Sequence, residues 1–260
     1  MIKILTGWSN PGGSTTAHIN LCKLFNANGM PCGLWGPHEW HLNKVPGGLL
    51  KDVHTSETDT LIYHFLDSPT KPLVHKLIYS CHETNIKPIR SFDYTMFDTI
   101  HFVSEGQRKW HNINCNSMVI PNVLDDLSPN PKGETKIAGI IGSIDYHKQT
   151  HLSVQRALDD GWKTIVLCGS VSNWDYYNKF IEPLINKYSP NILLIGHTEN
   201  KQRMYDNIHE VYHSSLRETY NLVKAECILT NTKYNGLATA DTDGEVWNNQ
   251  DILNAWKKIL

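Results

Sequence analysis

The sequence predicts an α/β fold in two halves, each a mostly parallel sheet covered by helices. Three observations predict it. Short β-rich runs recur with helical stretches between them, which is the pattern of βαβ units. Several of those runs are apolar almost throughout, as strands buried on both faces are. The alternation stops at residues 123–135, "VLDDLSPNPKGET", and then starts afresh.

In chain order, "IKILTG" (2–7), "TLIYHF" (60–65), "KLIYSC" (76–81), "TIHFVS" (99–104) and "SMVIPN" (117–122) read as strands of the first half. Two prolines, a glycine and acidic residues make 123–135 an interdomain linker. Beyond it, "KIAGIIGS" (136–143), "KTIVLCGS" (163–170), "NILLIGH" (191–197) and "HEVYHS" (209–214) read as strands. Helices are expected over 147–161, ending at Gly161, over 173–190 with a kink at Pro183, and over 200–207. Between 227 and 247 only a turn at Asn235–Gly236 is legible. The tail from 248 is an amphipathic helix with Ile252, Leu253, Trp256 and Ile259 at helical spacing. The expected domains are therefore 1–122 and 136–247, joined by 123–135, with the helix of 248–260 packing back on the first.

A formal net charge of -2 supplies no basic field for a phosphate backbone, so a dedicated nucleic-acid binder is not expected. The six cysteines form no C-x-x-C pair, and the chain opens on a strand rather than a leader. Those features point to reduced thiols and a cytoplasmic protein. No apolar run approaches the roughly 18 residues of a membrane-spanning helix.

Residues 209–213, "HEVYH", match the zinc-peptidase pattern H-E-x-x-H. That motif works on a helix, where residues four apart share a face and reach one ion. Here Val211 and Tyr212 favour a strand, which at about 3.3 Å per residue holds the two imidazoles about 13 Å apart. No metal site is expected. The "DTD" at 241–243 reads as a solvated loop, and the pairs His147 with His151 and His38 with His41 as chance spacings.

Extended to residue 226, the same stretch becomes "HEVYHSSLRETYNLVKAE", in which Glu218 and Glu226 form E-x7-E. A strand delivers Glu218 to the mouth of a sheet, and the N–H groups from Thr219 to Leu222 open a helix whose N-terminus attracts a diphosphate. With Ser215, Tyr220, Asn221 and Leu222 in register, the stretch resembles the donor-site motif of the retaining glycosyltransferases of family 4. These have a GT-B fold, two Rossmann-like domains facing a cleft. Further likeness lies in Gly12 and Gly13 after the first strand, with Ser14 or Thr15 able to cap the helix that follows; in "LIYSCHETN" with His82; in "HFVSEGQRKWH" with Ser104; in Pro121 and Asn122; and in "IIGSIDYHKQTH" with Lys148.

The resemblance implies a metal-independent hexosyltransferase whose donor substrate is a nucleotide-diphospho-sugar, UDP- or GDP-linked, with a glycan, lipid or other hydroxyl acceptor and no cofactor. It implies His82, Glu218 and Lys148 as the catalytic group. Gly12, Gly13, Gly142, Gly169, Ser170, His197, Tyr220, Asn221 and Leu222 would line the donor site, with Cys168 and Gly196 beside them and Glu226 on the ribose. The first domain would hold the acceptor. Three departures stand out: Ser143 replaces the family's arginine, Asn221 replaces a glycine, and "ECILTNTKYNG" lacks Gly-x-Pro-Val. They leave open a nucleotide-sugar-binding protein without catalysis. A nicotinamide-dependent oxidoreductase shares the βαβ pattern but would need a G-x-G-x-x-G that is absent.

Overall fold

A computed structural model of the chain describes residues 1–9, 12–66, 71–83, 94–238 and 246–260. It divides into two compact units, Met1–Leu124 with Asp243–Leu260, and Asp125–Thr242. The first unit contains β1 (Ile2–Thr6), α1 (Gly13–Ala27), β2 (Cys32–Gly36), β3 (Gly47–Leu49), β4 (Thr60–His64), β5 (Lys76–Cys81), β6 (Thr99–Phe102), α2 (Glu105–His111) and β7 (Ser117–Val119). The second contains β8 (Ala138–Ile141), α3 (Thr150–Asp159), β9 (Ile165–Cys168), α4 (Trp174–Tyr176), α5 (Glu182–Tyr188), β10 (Ile192–Leu194), α6 (Lys201–Asn207), β11 (Glu210–His213), α7 (Leu222–Leu229) and β12 (Lys233–Gly236). A last helix, α8 (Asn249–Lys257), belongs to the first unit.

Among the described residues the first sheet runs β3-β2-β1-β4-β5-β6-β7 and the second β10-β9-β8-β11-β12, with every neighbouring pair parallel. Register explains the apolar runs. Ile4 lies between Leu34 and Ile62, and Ile62 pairs with Ile78, so four buried side chains form a row on one face. One residue on, Leu5, Tyr63 and Tyr79 form a second row in a separate core on the other face. Each strand must therefore be apolar at successive positions.

The first of those cores takes α8. Ile252, Leu253, Trp256 and Ile259 join Ile4, Phe25 and Ile78 in it. The Trp256 ring meets Phe25 edge to face at 5.8 Å, and Asn248 caps the helix by accepting from the N–H of Asp251 at 2.9 Å.

Several local expectations are corrected. Asn235–Gly236 is not a turn but the end of β12, paired with Tyr212 and His213. Gly12, not Ser14 or Thr15, is the N-cap of α1, and no side chain caps it. The helix expected from residue 147 begins at Thr150, leaving Lys148 in the turn before it. Pro183 interrupts nothing: it falls in the first turn of α5, where its missing N–H is unused, after a widened π turn at Tyr177–Ile181. The stretch 123–135 has no regular element, but from Ser128 on it is bonded along α6. Ser128 and Gln202 exchange bonds of 3.0 Å, and Lys132 Nζ donates to the carbonyl of Tyr205 at 2.7 Å. The "DTD" at 241–243 lies outside the described residues.

Candidate functional site

Strand order locates the site in the second unit. β8 has β9 on one side and β11 on the other, so the winding reverses between β8 and β11, and in open α/β sheets ligands bind beyond the C-terminal strand ends at such a switch point. The turn after β8 carries Gly142 to Lys148, and the loop after β11 carries Ser214 to Asn221. The two are joined by a bond from Leu216 N–H to the His147 carbonyl, 2.9 Å.

Asp145 organises the first turn. Its Oδ2 accepts from Ser143 Oγ at 2.6 Å and Ser172 Oγ at 3.0 Å, and its Oδ1 from the Lys148 N–H at 2.8 Å. Ser143, in the place of the expected arginine, thus serves the turn. Gly142 has φ of +130°, and a Cβ on Gly169 would lie 1.7 Å from the Gly142 carbonyl oxygen, so both positions require glycine.

Lys148 Nζ donates to Glu218 Oε1 at 2.5 Å, and His213 Nε2 donates to the same oxygen at 3.0 Å. A carboxylate only accepts, so the His213 proton facing it is on Nε2. Burial pushes the Glu218 carboxyl up, but the His213 bond and the Lys148 charge outweigh it and hold it at about 2. Glu218 is an anion at neutral pH.

Asn221 is the N-cap of α7. Its Oδ1 accepts from the Lys224 N–H at 2.9 Å, and its Nδ2 donates to Tyr234 Oη at 2.6 Å. These are two bonds that a glycine, as in the family's motif, could not make. Tyr220 is buried, and burial, then the nearby Glu226 carboxylate, pushes its hydroxyl up to about 12. Leu222 opens the helix. Glu226, 3 % exposed, accepts from Lys201 Nζ at 2.5 Å and Tyr205 Oη at 2.8 Å. Lys201 also pairs with Asp125 at 2.6 Å. Ser170 and His197 are exposed after β9 and β10. Of the expected donor-site residues, the structure brings Lys148 to Glu218 and Gly142 to Gly169, while Glu226 is bonded separately, to α6.

In the first unit, Gly12 and Gly13 sit at the start of α1. His82 follows β5 within a histidine cluster: the His18 ring lies 4.5 Å from His82 and 4.6 Å from His64. Ser80 Oγ is 3.1 Å from His82 Nε2 and 2.9 Å from His101 Nδ1, and His101 Nε2 is 2.7 Å from the Ile120 carbonyl. The carbonyl fixes the proton of His101 on Nε2, so Nδ1 accepts from Ser80, and Ser80 accepts from His82 Nε2–H. Burial first, then the neighbouring imidazoles, pushes His82 and His18 well below the ordinary histidine value, and burial takes His101 to about 4. These three rings are neutral at pH 7. His64 Nε2 is 2.6 Å from Glu83 Oε1, and its Nδ1 is 2.7 Å from Thr6 Oγ1.

The H-E-x-x-H match is a strand, with Glu210 bonded to Lys233 and Asn235. Among the described residues no three His, Cys, Asp or Glu side chains are arranged to hold a metal, and no helix is long and apolar enough to cross a membrane. All six cysteines are unbridged.

No protein-family profile and no curated protein matches the chain. Solved structures do. AviGT4, a glycosyltransferase involved in avilamycin A biosynthesis, is similar with a TM-score of 0.65 at 15% identity, over 100% of this chain and 89% of that one. HepE of Anabaena in complex with UDP-glucose is similar with a TM-score of 0.67 at 14% identity, over 99% and 90%. A glycosyltransferase from Rickettsia africae ESF-5 is similar with a TM-score of 0.66 at 11% identity, over 98% and 87%. The fold is GT-B, two Rossmann-like units, as the resemblance implies.

Sequence reasoning did not put His213 among the candidate residues, although it ends β11 and its ring meets Glu218. Lys201, Tyr205 and Asp125 left no local signal, because only folding brings Lys201 and Tyr205 to Glu226 and Asp125 to Lys201.

Proposed function

We propose that the chain is a glycosyltransferase that moves a hexose from a nucleotide-diphospho-sugar, UDP- or GDP-linked, to a hydroxyl on a glycan, lipid or other acceptor. The observation that carries this reading is the meeting of Lys148 with an ionised Glu218 at the switch point of the second sheet, just before α7 opens. GT-B neighbours solved with UDP and UDP-glucose support it.

The bond to break joins the sugar's anomeric carbon to the diphosphate, and negative charge grows on the departing phosphate oxygens. Lys148 Nζ, which has three N–H donors and rests on Glu218, turns them to that charge when the donor binds. The N-terminal end of the α7 dipole adds partial positive charge. This countercharge comes from the protein, so the step is proposed to be metal-independent. Glu218 accepts from hydroxyls of the sugar and stabilises positive charge on its ring. Glu226 has acceptor capacity left beyond Lys201 and Tyr205 for ribose hydroxyls. His82 acts on the acceptor side. Membership of family 4 and retention of anomeric configuration rest on the E-x7-E resemblance, and a cytoplasmic location on the unbridged thiols.

Ser143 favours a second reading, a nucleotide-sugar binder without turnover, because it turns to Asp145 where the family has a guanidinium. Thermal shift with UDP, GDP, ADP, CMP and NAD, with and without EDTA, tests the first. A nucleotide at 100 times its dissociation constant should add about 2.7 kcal/mol. Stabilisation by one nucleoside diphosphate, indifferent to EDTA, is the expected result; stabilisation by none overturns the proposal. Binding without nucleotide release in the presence of acceptors leaves the second reading.

A further inference from the structure

Glu218 is held by two unlike donors, and both land on Oε1. Lys148 is a flexible side chain, 25% exposed, and its charge is what a bound diphosphate would draw away. His213 is 4% exposed and fixed from several sides. Its backbone carbonyl accepts from the Leu237 N–H at 3.0 Å and from Arg156 at 3.3 Å. Its ring lies 6.1 Å from that of Tyr234, whose hydroxyl is bonded to the α7 cap Asn221. The anchor that stays when Lys148 turns is therefore His213.

We propose that His213 is a positioning residue: its Nε2–H holds Glu218 Oε1 while Lys148 turns to the donor diphosphate, leaving Oε2 set as acceptor for a hydroxyl of the transferred sugar. The inference rests on the glycosyltransferase reading above, and it assigns a use to the second histidine of the H-E-x-x-H match. Without His213, Glu218 would follow Lys148 toward the phosphates or rotate freely, and the sugar, not the nucleotide, would lose its grip.

The test compares the affinity for UDP-glucose with that for UDP, and for GDP-glucose with that for GDP, by calorimetry on the wild type, His213→Phe and His213→Gln. Gln places an amide N–H near the position of Nε2, and melting curves establish that each variant is folded. In His213→Phe the affinity gained from the glucosyl group should fall about tenfold, as for loss of a hydrogen bond to a charged group, with nucleotide affinity within about twofold of wild type. His213→Gln should recover most of the loss. Where turnover is measurable, kcat/KM should follow the sugar term rather than the nucleotide term. An unchanged sugar contribution in a folded His213→Phe, or equal losses for nucleotide and nucleotide-sugar, overturns the positioning role alone. A wild type that binds neither nucleotide pair overturns the glycosyltransferase reading and this inference with it.

Discussion

Lys201 and Glu226 form an ion pair of 2.5 Å between α6 and α7, and the two ends are not equivalent. The Glu226 side chain is 4% exposed, whereas Lys201 is 27% exposed and has Asp125 as a second partner. Burial lowers the Lys201 pKa, but the Glu226 and Asp125 charges outweigh it and raise it. Removing the lysine strands a buried carboxylate; removing the carboxylate leaves a lysine that is still paired. Lys201→Met is therefore expected to cost about 3 kcal/mol and Glu226→Gln about 1 kcal/mol in urea unfolding. Equal costs would show that burial does not set the asymmetry.

On the proposed function, Glu226 and His82 should separate binding from turnover. Glu226→Ala is expected to weaken nucleoside diphosphate binding by at least about tenfold, the worth of hydrogen bonds to a charged acceptor. His82→Ala, in the other unit, should cut turnover while leaving that binding unchanged. Titration of UDP or GDP together with initial rates checks both, and transfer at wild-type rates in both variants removes these residues from the mechanism.

The parts of the fold legible in the sequence are those whose register forces a pattern. β1, β4, β5 and β6 show as apolar runs because both of their faces are buried. β2 and β3, "CGLWG" and "GGL", are silent, since glycine carries no strand signal. Gly47 is there because a side chain would lie 1.8 Å from the Leu34 carbonyl oxygen. At β12 the Asn-Gly signal points the wrong way: Asn235 is extended, and it is bonded to Glu210 and Arg156. In the site, Glu218 and Lys148 are legible because one local segment each, "HEVYHSSLRETYNLVKAE" and "IIGSIDYHKQTH", resembles a family motif. Lys201 meets Glu226 across 25 residues and Asp125 across 76, a juxtaposition no local pattern encodes.

Trp256 shows what the tail contributes. Its ring is 1% exposed, set against Phe25 and 4.6 Å from the His101 ring. Trp256→Ala is expected to cost about 3 to 5 kcal/mol, the usual range for emptying a site of that size. Because His101 holds Ser80 and Ser80 holds His82, the change should also lower turnover more than nucleotide affinity. Urea unfolding and rates of transfer read the two effects, and a loss under about 1 kcal/mol would show that α8 is dispensable to the core.

Acid should unfold the protein in two stages. His18, His82 and His101 face one another, with His64 and Glu83 beside them. Their pKa values are lowered from 6.5, to about 4 for His101, so between those limits the unfolded chain binds more protons than the folded one. Stability then rises with pH, and it begins to fall as pH drops below about 6.5. Glu218 adds a lower stage. Its folded value of about 2 lies below the ordinary 4.5, so its contribution is complete above about 4.5 and is lost toward pH 2. Asp59 acts the same way. Burial raises its carboxyl, but Lys3, Ser56 and the chain's amino terminus bring it to about 2. Glu218→Gln should accordingly flatten the fall between pH 4.5 and pH 2 without abolishing it, and leave the fall between pH 6.5 and pH 4.5 intact. Urea midpoints measured across that range for both proteins give the answer. Parallel curves throughout would mean that Lys148 and His213 do not hold Glu218 ionised in solution.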